Sequence, residues 1–139
     1  MNVFTAEIEV KTRGNTDVID ITTKVHEVVK DSGIQTGICS LFNPSSTSGL
    51  TTIEYESGCV QDLKRIFEKL VPSTESYAHN ARWGDGNGHS HIRAALLGAS
   101  VTVPVQNNQL TLGTWQQIIL VDFDIRPRRR RVMVQVLGV

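Results

Sequence analysis

Aromatic residues make up only 6% of this 139-residue sequence, which has just two cysteines and four prolines. Two cysteines cannot build a disulfide framework, and Cys39 and Cys59 do not form a CxxC metal pair. Both are expected as buried free thiols. No apolar run is long enough to span a bilayer, so no membrane partner is expected. Basic and acidic residues balance at 14 each, and a net charge of zero argues against a general nucleic-acid binder. The start, Met1 to Thr5, carries neither a basic segment nor an apolar signal core, so the cytoplasm is the expected compartment.

What is present is an ordinary globular composition, 40% hydrophobic and 20% charged. The length suits one domain over residues 1–139 with a core of its own. Val3 to Thr12 ends in strict alternation and reads as a strand. A turn at Arg13-Gly14-Asn15 and renewed alternation over Asp17 to Ile21 predict a hairpin. Thr22 or Thr23 is placed to cap a helix carrying Val25, Val28 and Val29 on one face, which Gly33 stops. Gly37–Phe42 and Leu50–Tyr55 read as strands around the polar loop Asn43 to Gly49. A second helix has Val60, Leu63, Ile66, Phe67 and Leu70 on one face and ends at Pro72.

Ser73 to Ser90 reads as a long irregular stretch, with a short helix at Ile92 to Leu97. Strands follow at Ser100–Val105, Trp115–Phe123 and Arg131–Val139, with a turn at Asn107-Asn108. The run Ile118 to Phe123 is apolar on both faces and reads as a strand that is central or buried between subunits, with Trp115 expected in a core or interface. The late strands have no helix to cross over between them. The pattern is α+β, with two main helices on mixed or antiparallel sheets.

Chemistry concentrates between His79 and His91. Three of the four histidines lie there, with Asp85 and Asn87 framed by glycines. Glycine lets backbone approach a ligand, carboxylate and amide supply oxygen, and imidazole suits zinc and other transition metals. On an extended segment His89 and His91 would point to the same side. A solvated loop whose histidines only make hydrogen bonds fits the same residues. The hydroxyls of Asn43 to Gly49 suit phosphate, although no P-loop lysine accompanies them. Glu54 reads as a base, a metal ligand or a half-exposed strand residue. Arg126-Pro127-Arg128-Arg129-Arg130-Arg131 suits phosphate, an edge strand or a subunit boundary, and RNA less well because no aromatics are interleaved.

Four segments together, Gly84 to Ile92, Leu97 to Ser100, Leu112 to Gln116 and Asp122 to Arg131, resemble the YjbQ family over nearly the whole chain. Members are described as secondary thiamine-phosphate synthases. The resemblance implies two packed sheets with helices, a homotrimer, and a site between subunits for a metal or an anion. His79 and His91 match the family's histidines before and after the Asp-Gly-Asn loop, and His89 falls at a variable position. Glu54 matches a glutamate after Gly49-Leu50-Thr51. One departure is Ser45, which stands where the family loop carries histidine.

The combined expectation is a site for a small phosphorylated molecule. Glu54, Asp85 and His91 would be catalytic. Ser46, Thr47, Asn87, Arg128 and Arg130 would bind phosphate. His79, His91 and His89 would hold a divalent metal, zinc or magnesium. The reaction implied joins a pyrimidine pyrophosphate to a thiazole phosphate. The alternative is a metal- or anion-binding module, or a metal-dependent hydrolase.

Overall fold

Alternation along Asn2–Thr12 sends every second side chain inward, and this segment forms β1. In the computed structural model, which describes residues 1–139, β1 is followed by β2 (Asp17–Asp20), α1 (Thr22–Ser32), β3 (Thr36–Phe42) and β4 (Ser48–Ile53). Three helices come next: α2 (Ser57–Leu70), α3 (Ala78–Trp83) and α4 (Gly88–Leu97). The chain ends with β5 (Ser100–Gln106), β6 (Gln109–Leu110), β7 (Gln117–Asp122) and β8 (Arg128–Gly138). No helix is long and apolar enough to cross a membrane.

The strands form two sheets, in the orders β1-β8-β3-β5-β6 and β2-β7-β4. Every neighbouring pair is antiparallel. The fold is therefore α+β with two packed antiparallel sheets. The helices lie where the chain changes sheets, α1 between β2 and β3 and the other three between β4 and β5. No helix links parallel neighbours, so no parallel pairing arises.

Strand β7 is the centre of the packing. Ile118 and Leu120 enter a core shared with β1, β3, β5, β8 and α1. Ile119, Val121 and Phe123 face the other way, against Phe67 of α2 and Ala94 of α4. A strand buried on both faces needs apolar residues at consecutive positions, and this one has them. Phe67 and Phe123 meet edge to face with centroids 4.8 Å apart.

Several local expectations are corrected. Strands β1 and β2 are not a hairpin, because β1 pairs with β8 and β2 with β7. The connection instead crosses from one sheet to the other through Gly14, Asn15 and Thr16, all at positive φ. A Cβ at Gly14 would lie 2.6 Å from two backbone oxygens, those of Asp124 and Arg126, so glycine is needed there. Neither threonine caps α1. Asp20 does this work from outside, accepting from the N–H and O–H of Thr22. On α2 only Phe67 is fully buried, while Leu70 is exposed.

The region from Ser73 to Ser90 is not a long irregular stretch. Helix α3 and the first turn of α4 occupy much of it. The buried face of α4 consists of His89, Ser90, Arg93 and Ala94, so it is mostly polar and leaves no hydrophobic period to read. Tertiary bonds hold it. Ser90 Oγ donates to Phe123 O at 2.6 Å, and the Arg93 guanidinium donates to Val71 O, Thr16 Oγ1 and Glu68. Trp115 is exposed in the single chain, outside either core.

Candidate functional site

Three connections cross between the sheets at one end of the sandwich: residues 12–17, 42–48 and 122–128. Backbone bonds tie them together, from Asn15 N to Asp124 O at 2.6 Å and from Phe123 N to Thr47 O at 2.9 Å. The side chains there form one network. Arg130 grips Asp122 bidentately, from Nε to Oδ2 at 2.7 Å and from Nη2 to Oδ1 at 2.9 Å. Thr12 Oγ1 donates to Asp122 Oδ2 at 2.6 Å. Arg130 Nη2 also donates to Thr47 Oγ1, which in turn donates to Asp124 Oδ2 at 3.0 Å. Arg128 Nε reaches the same Asp124 oxygen at 3.1 Å.

Burial acts to raise the Asp124 carboxyl, but hydrogen bonds from Thr47, Asn87 and Arg128 outweigh it and hold the group below the usual carboxylate range. The two aspartates and two arginines are thus charged and mutually compensated. They are not equivalent. Arg130 is nearly buried and its guanidinium is occupied by Asp122 and Thr47. Arg128 is one-third exposed, and only its Nε is engaged, so both terminal amino groups are free for a ligand.

Beside this network lies a cleft of about 430 Å³ whose lining, Pro44 apart, is polar or charged. Ser46, Thr47, Asn87 and His91 line it with two carboxylates, Asp85 and Asp124, and two guanidinium groups, Arg128 and Arg130. The Ser46 N–H makes no hydrogen bond within the chain. Asn87 is the N-cap of α4, and the first N–H groups of that helix are already engaged, Gly88 N with Asn80 Oδ1 and Ser90 N with Asn87 O. Asn87 and Asp124, both more than nine-tenths buried, each keep an Oδ1 without a partner.

His91 Nδ1 lies 3.1 Å from Ser46 O. A carbonyl can only accept, so the proton of the neutral ring resides on Nδ1 and Nε2 carries the lone pair. The ring can then take a proton at Nε2, or return it. The His79 ring is 4.5 Å from that of His91, and His79 Nδ1 is 3.4 Å from Asp85 Oδ1. Asp85 Oδ1 accepts a hydrogen bond from Asn87 N, which fixes the Gly84–Asn87 connection, while His79 Nδ1 has no hydrogen-bond partner.

The expected residues therefore divide. Ser46, Thr47, Asp85, Asn87, His91, Arg128 and Arg130 share the cleft, and His79 stands behind His91. His89 is not among them. Two residues apart on a helix is a rotation of about 200°, so His89 and His91 point in nearly opposite directions. His89 is buried toward Tyr77, and burial, with Arg93 nearby, keeps its imidazole below the usual range and neutral. Glu54 is exposed just beyond the end of β4 and outside the cleft.

No three His, Cys, Asp or Glu side chains converge in a way that would hold a metal ion. A three-imidazole zinc site does not fit this chain, and magnesium finds no ready carboxylate cage either. The arginine run is compensated on both faces of β8, since Arg129 and Arg131 pair with Glu9 and Glu7 outside while Arg128 and Arg130 pair with Asp124 and Asp122 inside. The residues missed in the sequence were Thr12, Asp122 and Asp124. Their signal was the spaced pairing of two aspartates with two arginines across Pro127.

The fold and site define a two-sheet α+β domain with a polar cleft at its sheet crossovers. A family model described as "UPF0047 protein YjbQ-like" matches residues 6–139. The chain belongs to this YjbQ-like family. It is 44% identical over 138 residues to a UPF0047 protein of Methanothermobacter thermautotrophicus, covering 99% of this chain and 94% of that one. The UPF0047 protein YugU of Bacillus subtilis is 33% identical, with 94% and 97% covered. A YbjQ-like protein of unknown function from Sulfolobus solfataricus P2 has a similar crystal structure, with a TM-score of 0.94, 35% identity and 99% of each chain covered.

Proposed function

We propose that the polar cleft binds the phosphate of a small phosphorylated molecule. In this reading the chain is a transferase with thiamine-phosphate synthase activity, as a side activity of the site. The observation that carries the reading is that Arg128, whose terminal amino groups are free, lines one largely polar cleft together with His91 and with Ser46, whose N–H has no partner in the chain. A free guanidinium edge and an unengaged backbone N–H suit a phosphate.

In the reaction, the thiazole nitrogen would attack the methylene carbon of the pyrimidine pyrophosphate. The carbon–oxygen bond breaks as the carbon–nitrogen bond forms, and pyrophosphate departs with the bonding electrons. Arg128 and the Ser46/Thr47 loop would hold the leaving group, and oriented donors act best where negative charge develops. His91, protonated at Nε2, would donate to the departing oxygen. No step is assigned to a metal.

The test is to supply both substrates to the purified protein, with and without magnesium, and to measure thiamine phosphate. Formation by the wild type and loss in His91→Ala is the expected result. No product above that variant under either condition removes the synthase reading. Retained phosphate binding would then favour the second reading, an anion-binding module that shares the cleft without the synthase chemistry.

A homotrimer accompanies this proposal. Trp83, Ile92, Leu96 and Trp115 are large apolar side chains left exposed on the single chain, and such exposure favours an interface. Light scattering that gives the mass of one chain would reject the trimer. Two free cysteines suit a reducing compartment, and we place the protein in the cytoplasm.

A further inference from the structure

The cleft offers more hydrogen-bond acceptors than its own chain uses. Asn87 and Asp124 both line it, and both are more than nine-tenths buried. Each keeps an Oδ1 that accepts no hydrogen bond. A carboxylate can only accept, so the Asn87 amide turns its Nδ2 toward Asp124 and leaves Oδ1 as its free end. Buried acceptors without a donor are rare in folded chains, and two of them lining one cleft call for donors on a bound molecule. The charges point the same way. Arg130 is occupied by Asp122, which it holds with two hydrogen bonds. What remains in the lining is one guanidinium, Arg128, against two carboxylates, Asp85 and Asp124. Asp85 is half exposed, and Asn87 N is the hydrogen-bond donor it engages. The histidines aside, the cleft is net negative and favours a cationic group.

We infer that the cleft recognises a zwitterion: a primary ammonium group donates to Asn87 Oδ1 and Asp124 Oδ1, while Arg128 and Ser46 hold a phosphate on the same molecule. The inference rests on the phosphate reading above for the anion and adds a second recognised group. Phosphate oxygens are acceptors and cannot satisfy the two Oδ1 atoms. An ammonium carries three N–H donors and no acceptor, so it meets those oxygens with hydrogen bonds alone. A metal ion fits less well. It needs its ligands gathered into one coordination sphere, and no three such side chains converge here. An ammonium group needs only separate hydrogen bonds. Arg128 Nε lies 3.1 Å from Asp124 Oδ2, so the two charged ends of the ligand sit close together and a short spacer joins them. That is the chemistry of a small amino-alcohol phosphate.

The test compares three probes by calorimetry, with a chelator present: 2-aminoethyl phosphate, n-propyl phosphate and n-propylamine. The first two carry the same phosphate and differ at one end, ammonium against methyl. The wild type is expected to bind 2-aminoethyl phosphate about tenfold more tightly than propyl phosphate, the gain from a charge-assisted hydrogen bond. Asn87→Ala removes one of the two acceptors and should narrow that preference. Asp85→Asn keeps an oxygen for Asn87 N but removes a negative charge, and should narrow it too. Equal binding of the two phosphates by the wild type, or a preference unchanged in both variants, overturns the ammonium subsite and leaves the phosphate reading standing. A preference seen only without chelator gives the acceptors to a metal ion and overturns the ammonium as well. Binding of propylamine but of neither phosphate overturns the phosphate reading and, with it, the zwitterion. Failure of all three probes overturns both.

Discussion

Replacing Arg130 with glutamine should cost the protein its stability more than its ligand. The Asp122 carboxylate is fully buried, and Arg130 supplies two of the hydrogen bonds that neutralise it. Thr12 Oγ1 and Asp124 N would remain as neutral donors. Removing one partner of a buried pair leaves an uncompensated charge, at a cost of about 3–5 kcal/mol. For a domain of this size that corresponds to a fall in Tm of roughly 10–15 °C. Arg130→Gln would also release Thr47 Oγ1, loosening the 43–48 loop.

The matching change at Arg128 should behave in the opposite way. Arg128 is one-third exposed, so water screens its pairing with Asp124, and the loss should stay within about 1 kcal/mol. Under the proposed function its free amino groups hold the phosphate, so phosphate affinity should fall in Arg128→Gln. Differential scanning calorimetry and phosphate titration of the two variants give the four numbers required. A Tm for Arg130→Gln within about 2 °C of wild type would refute the reasoning, whatever happened to binding.

Stability should decline with acid in two windows. Both His89 and Asp124 sit below their usual ranges in the fold, so the unfolded chain binds protons first as pH falls, and linkage then favours unfolding. The His89 contribution is present above about pH 6.5 and is lost below it, and the Asp124 contribution starts to go below about pH 4. Tm measured from pH 7 to 5 should fall in the wild type and fall less in His89→Gln, and equal slopes would reject the assignment. Burial pushes the Cys39 thiol up to about 11, so a thiol reagent at pH 8 should label Cys59 alone until the protein unfolds, as mass spectrometry can read.

Some of this protein was legible before folding. The alternation of β1, the two-sided apolar run of β7 and the face of α2 that carries Phe67 each follow from local periodicity. Most of the cleft was also marked by residue type, since hydroxyls, arginines, histidine and glycine-framed Asp85 and Asn87 are unusual in such density. What periodicity could not supply was the choice of partner. β1 alternates as a hairpin strand would, but its eleven-residue register with β8 comes from a segment at the far end of the chain.

The histidine-rich segment marks the same division. Its residue types marked the segment as a candidate site, whether as an extended loop or as a helix. Only the tertiary structure decided that it is helical, because the bonds that hold α4 run to Phe123, Val71, Thr16 and Glu68 rather than along the helix. That choice rotates His89 inward and leaves His91 facing Ser46. It also separates arginines that look alike in sequence, giving Arg130 to the buried Asp122 and Arg128 to the open cleft. Local sequence fixes which groups are available, while burial and the crossing of three connections fix which of them face the cleft.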